Sequence, residues 1–127
     1  MQEKHLFEYS IIRVVPRVER EEFINVGVIL YCSGRRFLQT VYKIDIERIQ
    51  ALHKEVDLVE LEARLDAFKQ VCKGGKSGGT IGSLPIASRF RWLTATRSTI
   101  VQSSAVHPGF CTTPEESLQQ LFKQLVM

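Results

Sequence analysis

Two apolar segments separated by four residues constrain the fold of this chain more than any other feature. Residues 25–32 read NVGVILYC, residues 37–43 read FLQTVYK, and SGRR at 33–36 lies between them. Both segments are rich in β-branched and aromatic residues, which favour strands. A connection this short joins antiparallel strands, and Gly34 can adopt the positive φ of a tight turn. The pattern therefore predicts a β-hairpin.

A third strand is predicted before the hairpin. Residues 7–15 read FEYSIIRVV, and Pro16 ends the segment because proline cannot donate to a strand ladder. Alternate residues of a strand share a face, so Arg13 lies on the same face as Tyr9 and Ile11. An arginine among apolar neighbours needs a hydrogen-bond acceptor if it is buried.

Helices are predicted after the hairpin. Asp45 and Asp57 are each placed to cap a helix, because an aspartate side chain accepts hydrogen bonds from the free amides of a first turn. The glycine-rich segment KGGKSGG at 73–79 ends the second helix and is expected to be a flexible loop. The remaining expected elements are a short helix from Ser88, a strand at 98–102, a loop at 105–114 and a final helix after Thr113.

This order of elements, β-β-β-α-α-α-β-α, predicts an α+β fold: an antiparallel sheet of three to four strands with helices packed on one face. The 127 residues fit one domain, and a hydrophobic content of 44% is ordinary for a globular protein. No apolar run reaches the roughly 18–20 residues of a membrane span, and the N-terminus lacks the apolar stretch of a secretory signal. We therefore expect a single cytoplasmic domain, residues 1–127, that does not enter a membrane.

Basic residues dominate the second half of the chain. Between Asp66 and Glu115 the sequence has no acidic residue, and this span includes Arg89, Arg91 and Arg97. Such a segment produces a positive potential wherever it folds together, which is typical of proteins that bind nucleic acid or another polyanion. The alternative is that these side chains pair with the acidic surface of the first half.

The sequence lacks the usual catalytic and cofactor motifs. The tripeptide GKS at 75–77 is similar to the end of a phosphate-binding loop, but the glycine that such a loop needs five positions earlier is Gln70. His107 and Cys111 are separated by a segment with a proline and a glycine, which prevents a helix from placing them on one face. The three cysteines and three histidines lack metal-ligand spacing. We expect no metal, no cofactor and no catalytic residue.

Arg13 and the segment EEFINVG at 21–27 form the main candidate site. If the first and second strands pair, Glu22 can return towards Arg13 and satisfy its charge. Asn25 tolerates an unusual turn, and Gly27 leaves room for a bulge or a packed neighbour. In the alternative, the same residues form a small polar pocket in which Arg13 binds an anion or a partner's carboxylate.

These blocks resemble the opening of a bacterial family known only as a domain of unknown function. The signature of that family is similar to Tyr-Ser-x-x-Arg-x-x-Pro followed by Glu-Phe-x-Asn-x-Gly-Val. In this chain its positions fall on Tyr9, Ser10, Arg13, Pro16, Glu22, Phe23, Asn25, Gly27 and Val28. The resemblance implies no assigned chemistry. Because some members are encoded beside kinase-like proteins, it does imply a partner protein of that kind.

The predicted function is a non-catalytic protein-interaction module of the bacterial cytoplasm, with a kinase-like protein as one candidate partner. We expect its contact surface near Arg13, Glu22 and Asn25 or on the basic second half. One alternative is binding of nucleic acid or another polyanion through residues 67–114. Another is a small-molecule enzyme with an anion site at Arg13. Self-association into a homo-oligomer is compatible with each of these functions.

Overall fold

An antiparallel sheet organises residues 3–127, the part of the chain that the computed structural model describes. The helices and strands have the following bounds: β1 (His5–Val14), β2 (Ile24–Cys32), β3 (Phe37–Tyr42), α1 (Ile46–Leu52), α2 (Leu58–Lys73), α3 (Gly79–Gly82), α4 (Ile86–Leu93), β4 (Val101–Ser103), β5 (His107–Cys111) and α5 (Pro114–Leu125). The strand order is β3-β2-β1-β4, and β5 pairs with the first half of β1 on the edge that β4 also uses. The predicted α+β class with an antiparallel sheet is confirmed.

Helices cover the sheet on both faces, whereas the sequence predicted helices on one face. In the core on the first face, Ile29 of β2 lies with Leu65 of α2 and Phe90 of α4. In the core on the second face, Leu30 of β2 lies with Leu118 of α5. The expectation of a single covered face is therefore wrong. The sequence of β2 indicated the second covered face. A strand covered on both faces shows no alternation of polar and apolar residues, and β2 is buried along nearly its whole length.

Strand β2 carries one extra residue opposite β1. Ile12 of β1 pairs with Gly27, whereas Arg13 pairs with Asn25, so Val26 has no partner across the strands. Such a β-bulge changes the side-chain alternation locally. Val26 therefore faces α2 and α4, although the next even-numbered residue of the strand faces α5.

The sheet has a fifth strand in a segment that was predicted to be a loop. The sequence HPGFC at 107–111 has little strand character, yet it pairs with residues 5–9 of β1. A Cβ on Gly109 would lie 2.5 Å from Cζ of Phe7, so only a glycine leaves room for this ring. Pro108 lies on an edge strand, where a missing amide is tolerated. The sheet is thus one strand larger than the largest predicted sheet.

Ser104 joins β4 and β5 to the middle of β1. Ser10 Oγ donates to the Ser104 carbonyl at 2.7 Å, and the Ile11 amide donates to Ser104 Oγ at 2.8 Å. Strand β4 pairs with residues 12–14 of β1 and begins at Val101, inside the segment predicted to be a strand. The chain between β4 and β5 therefore completes a continuous neighbour along one edge of β1.

The predicted helix caps at Asp45 and Asp57 are confirmed, and the hairpin turn differs in one detail. The helix expected from Ser88 begins at Ile86, with Pro85 as its N-cap, and Thr113 precedes α5 without a side-chain capping bond. Asp45 and Asp57 each accept a hydrogen bond from a first-turn amide, at 3.2 and 3.0 Å. The hairpin between β2 and β3 is formed as predicted. Its left-handed residue is Arg36, with φ of 49°, and not Gly34.

The glycine-rich segment lies between α2 and α3. Gly74 and Gly75 have positive φ values of 78° and 72°, and the Gly75 amide donates to the Gly82 carbonyl at 2.9 Å. These contacts bring the end of α2 close to α3. The flexibility expected for residues 73–79 stays a prediction.

Candidate functional site

Arg13 lies in the centre of the sheet, near the end of β1. Its direct neighbours across the strands are Asn25 of β2 and Gln102 of β4. The guanidinium carbon lies 4.2 Å from the centre of the Phe23 ring, which is a cation–π contact. Nε of Arg13 is buried and has no hydrogen-bond partner within residues 3–127. Of the ion pairs between described residues, none involves Arg13.

Glu22 does not reach Arg13, so the ion pair suggested by the sequence is not formed. Oε1 of Glu22 accepts from Nε of Arg20 at 2.6 Å in an exposed pair. The reason is local, because a 3-10 turn, Val18–Arg20, precedes Glu22 and ends at Glu21 with φ of 58°. This turn places the Glu22 carboxylate beside the arginine of the same loop.

Asn25 and Gly27 lie on either side of the bulge and have different roles. Nδ2 of Asn25 donates to the Leu125 carbonyl at 3.3 Å, which ties β2 to the end of α5, while its Oδ1 is buried without a partner within the described residues. A Cβ on Gly27 would lie 2.5 Å from the Val41 carbonyl oxygen and 2.9 Å from Cβ of Tyr42. Gly27 therefore permits close strand packing next to the bulge, as the sequence suggested.

An open cleft of about 430 Å³ lies beside Arg13. Arg13 and Phe23 form part of its wall, and Arg97, Glu21 and Gln102 also line it. Of the four residues grouped by the sequence, the structure thus brings Arg13 and Asn25 together, places Gly27 at the bulge and leaves Glu22 in the exposed loop. Phe23, Gln102 and the cleft itself depend on the tertiary structure and were missed as site residues.

Arg89, which was expected to contact a partner, holds the end of α2. Its Nη1 donates to the carbonyls of Val71 and Cys72 at 2.9 and 2.7 Å, and its Nε donates to the Leu84 carbonyl at 3.0 Å. The last carbonyls of a helix have no partner within that helix, so a cation placed there satisfies them and the helix dipole together. Arg89 is therefore occupied within the fold.

Arg97 and Arg91 have separate surroundings. Arg97 donates to the Leu93 carbonyl at 2.9 Å and to the Trp92 carbonyl, and its guanidinium carbon lies 4.5 Å from the centre of the Trp92 ring. Burial lowers the pKa of Arg97. Arg91 is exposed, with Nη1 at 3.8 Å from Oε2 of Glu8. The three arginines of the basic segment therefore do not converge on one surface.

A second feature, missed by the sequence, is an exposed apolar surface on β1 and β5. Leu6 and Phe110 are direct partners across these strands, and they are 54% and 72% exposed. Cys111, the next residue, is buried in the core under α5, so Phe110 points to the opposite face, beyond the reach of α2 and α4. Pro108 shares that face and is exposed. We name Leu6, Pro108 and Phe110 the β1–β5 patch.

His107 and Cys111, the pair considered in the sequence, do not form a reactive site. All three cysteines are buried, and burial raises the pKa of Cys72 to about 11. Burial and the neighbouring Cys32 raise the pKa of the Cys111 thiol. The His107 ring lies against Tyr9, with ring centres 5.4 Å apart. Four residues along a strand separate it from Cys111 by about 13 Å.

Within residues 3–127, no group of three or more His, Cys, Asp or Glu side chains is arranged to hold a metal ion. In the same part of the chain, no helix has the length and apolar character needed to cross a membrane.

Comparison with known proteins places this chain in a family. The model of the family described as Protein of unknown function (DUF3037) matches residues 9–126, which is all of the chain except its two ends. No curated protein and no solved structure matches the chain. The match begins at Tyr9 and includes Arg13, Asn25 and Phe110. The chain therefore belongs to the DUF3037 family of proteins of unknown function, which confirms the kind of family that its first two strands indicated.

Proposed function

We propose that this chain is a non-catalytic protein-interaction module of the bacterial cytoplasm and that the β1–β5 patch is its contact surface. The observation that carries the proposal is the pair Leu6 and Phe110, which lie directly opposite each other on paired strands and are both largely exposed. Exposed apolar side chains that are scattered singly are normal, whereas contiguous exposed apolar surface is typical of contact sites. Pro108 extends the same surface.

The energetics support a contact of moderate strength. Burying the exposed parts of Leu6 and Phe110, 54% and 72% of these residues, contributes about 2–4 kcal/mol. Association also costs rotational and translational freedom, so a stable complex needs further contacts around the patch. Glu8 and Arg91 lie at its border and offer charges of both signs. A kinase-like protein, the partner that the family resemblance implies, is a candidate.

The surroundings of the cysteines and of two arginines support a non-catalytic role. The cysteines of the described chain are buried, and the raised pKa of Cys72 keeps its thiol protonated near neutral pH. Arg89 and Arg97, the cations that most resembled a polyanion site, donate to backbone carbonyls of their own chain. These contacts favour protein interaction over the other two functions.

The test compares a patch variant with a matched control. In the variant, Leu6 and Phe110 are both changed to serine; in the control, Val59, which is 82% exposed on α2, is changed to serine. Tagged proteins are used to purify partners from a native lysate, and a retained protein is then purified and titrated directly. We expect a direct binder that the wild type and Val59→Ser retain and that the patch variant loses. Equal retention by all three proteins would exclude the patch as the contact surface.

A further inference from the structure

We infer that the cleft at Arg13 is a binding site for a carboxylate that is attached to an apolar group. This inference does not rest on the β1–β5 patch. Leu6 and Phe110 lie at the opposite end of β1 from Arg13, and the patch shares no residue with the cleft. The ligand is defined by its chemistry: one planar anionic group next to a ring or an aliphatic chain.

Among the residues that the structure describes, Arg13 has neither an acceptor for its buried Nε nor an ion-pair partner. Arg20, Arg64 and Arg89 each donate to a carboxylate or to backbone carbonyls. Arg13 lies further inside the structure than Arg20, yet its Nε is buried without a partner within residues 3–127. A buried donor without an acceptor destabilises a fold, so such a group in a native structure needs an explanation. An acceptor bound in the cleft that Arg13 lines would pair with the guanidinium.

The guanidinium is held in place by its neighbours. The Phe23 ring lies 4.2 Å from its central carbon, and Asn25 and Gln102 flank the arginine on the neighbouring strands. A contact with a ring face does not occupy the guanidinium donors with a hydrogen-bond acceptor. Those donors match the two oxygens of a carboxylate. Because the position is fixed by the fold, less side-chain freedom is lost on binding.

The charge and the apolar wall of the cleft suit a monoanion that carries an apolar group. The charged side chains that line the cleft are Arg13, Arg97 and Glu21, which sum to a net charge of +1. This charge suits a monoanion better than a dianionic phosphate, which would also meet the Glu21 carboxylate. Val18 and Phe23 supply apolar wall next to the arginine. The volume of about 430 Å³ accommodates a ligand the size of a substituted benzene ring.

The test is a titration followed by two-dimensional amide NMR, with benzoate and its neutral analogue benzamide as probes. We expect benzoate to bind with a Kd on the order of 1 mM. It should shift the amide signals of Arg13, Phe23 and Gln102, whereas benzamide should bind at least tenfold more weakly. N-acetylphenylalanine and its amide form a second pair, which distinguishes a free acid from the carboxylate end of a peptide. Binding of either carboxylate with its amide inactive supports the site.

The variants are Arg13→Gln, Arg13→Lys and the control Arg17→Gln. Arg17 is an exposed arginine of the following loop that pairs with Glu19 at 3.1 Å. We expect Arg13→Gln to weaken benzoate binding at least tenfold, Arg13→Lys to weaken it less because the charge remains, and Arg17→Gln to change it less than twofold. Should Arg13→Gln fail to fold, the loss of benzoate binding is measured with Arg13→Lys instead.

Several results would overturn the inference. These are equal binding of benzoate and benzamide, unchanged binding by the Arg13 variants, signal shifts centred away from the cleft, and absence of binding at 20-fold the expected Kd. Phenyl phosphate that binds tenfold more tightly than benzoate would overturn the assignment to carboxylates. None of these results bears on the β1–β5 patch, so the two proposals fail separately.

Discussion

Replacing Arg89 with methionine should destabilise the fold far more than the same change at Arg91. Methionine keeps most of the apolar stem of arginine and removes the guanidinium, so the comparison isolates the hydrogen bonds. Arg89 donates to three carbonyls, those of Val71 and Cys72 at partly buried positions and that of Leu84 at an exposed one. Arg91 is exposed and has one long contact, at 3.8 Å from Glu8.

The magnitude follows from these contacts. A hydrogen bond from a charged donor contributes about 1.5–3 kcal/mol when it is shielded from water, and less when it is exposed. The two partly buried bonds share one nitrogen and do not add fully, and water can reach part of the freed surface. We therefore expect Arg89→Met to lower the free energy of unfolding by about 3 kcal/mol. For Arg91→Met we expect less than about 0.5 kcal/mol, as is usual for a surface pair.

Urea unfolding monitored by circular dichroism measures both variants. The slope of the free energy against urea should stay constant, so that the midpoint alone reports the change. Two variants that differ by less than about 1 kcal/mol would refute the reasoning. That result would mean that the hydrogen bonds from Arg89 to the end of α2 contribute little to stability.

Three further predictions concern stability. Gly27→Ala should destabilise the fold by about 2–3 kcal/mol in urea, because its Cβ would overlap the Val41 carbonyl oxygen; a loss below about 0.5 kcal/mol would argue against close packing there. Asp57→Ala removes the cap that accepts from the Glu60 amide and should lower stability by about 1 kcal/mol, whereas Asp57→Asn should largely retain it. Burial raises the pKa of Cys72 to about 11 from an ordinary value of 9.0, so the stability that the protonated thiol contributes is complete below pH 9.0 and should decline by about 2 kcal/mol by pH 10.5. The free energy of unfolding of the wild type and of Cys72→Ala is measured at pH 8 and at pH 10.5. An equal loss of stability in both proteins between these pH values would contradict the prediction.

Local sequence patterns predicted the features that depend on neighbouring residues. The hairpin of β2 and β3 formed because its two strands are joined by only four residues, and the caps at Asp45 and Asp57 formed because each contact spans three residues. The interpretation that Gly27 leaves room for a bulge or a packed neighbour was correct, because a glycine inside a strand usually marks one of these two features. In each case the deciding interaction lies within one or two elements.

The features that were missed depend on distant parts of the chain. Strand β5 has weak strand character, and its pairing with β1 across about a hundred residues outweighs its local preference. Arg89 caps α2 through carbonyls 17 and 18 residues away, which no spacing rule indicates. The supposed pairing of Arg13 with Glu22 failed for the opposite reason, because a closer arginine, Arg20, was available in the loop.

The central position of β1 has a consequence for synthesis on the ribosome. β1 precedes the other strands of this sheet in the chain, and β2 and β3 can cover one of its edges soon after it is made. The other edge of β1 pairs with residues 101–111, which are synthesised some ninety residues later. Throughout that interval a nascent chain presents unpaired backbone amides and carbonyls beside apolar side chains. Factors that shield nascent chains, and the speed of translation through the second half, therefore have more influence on the yield of this protein than they would if β1 were an outer strand.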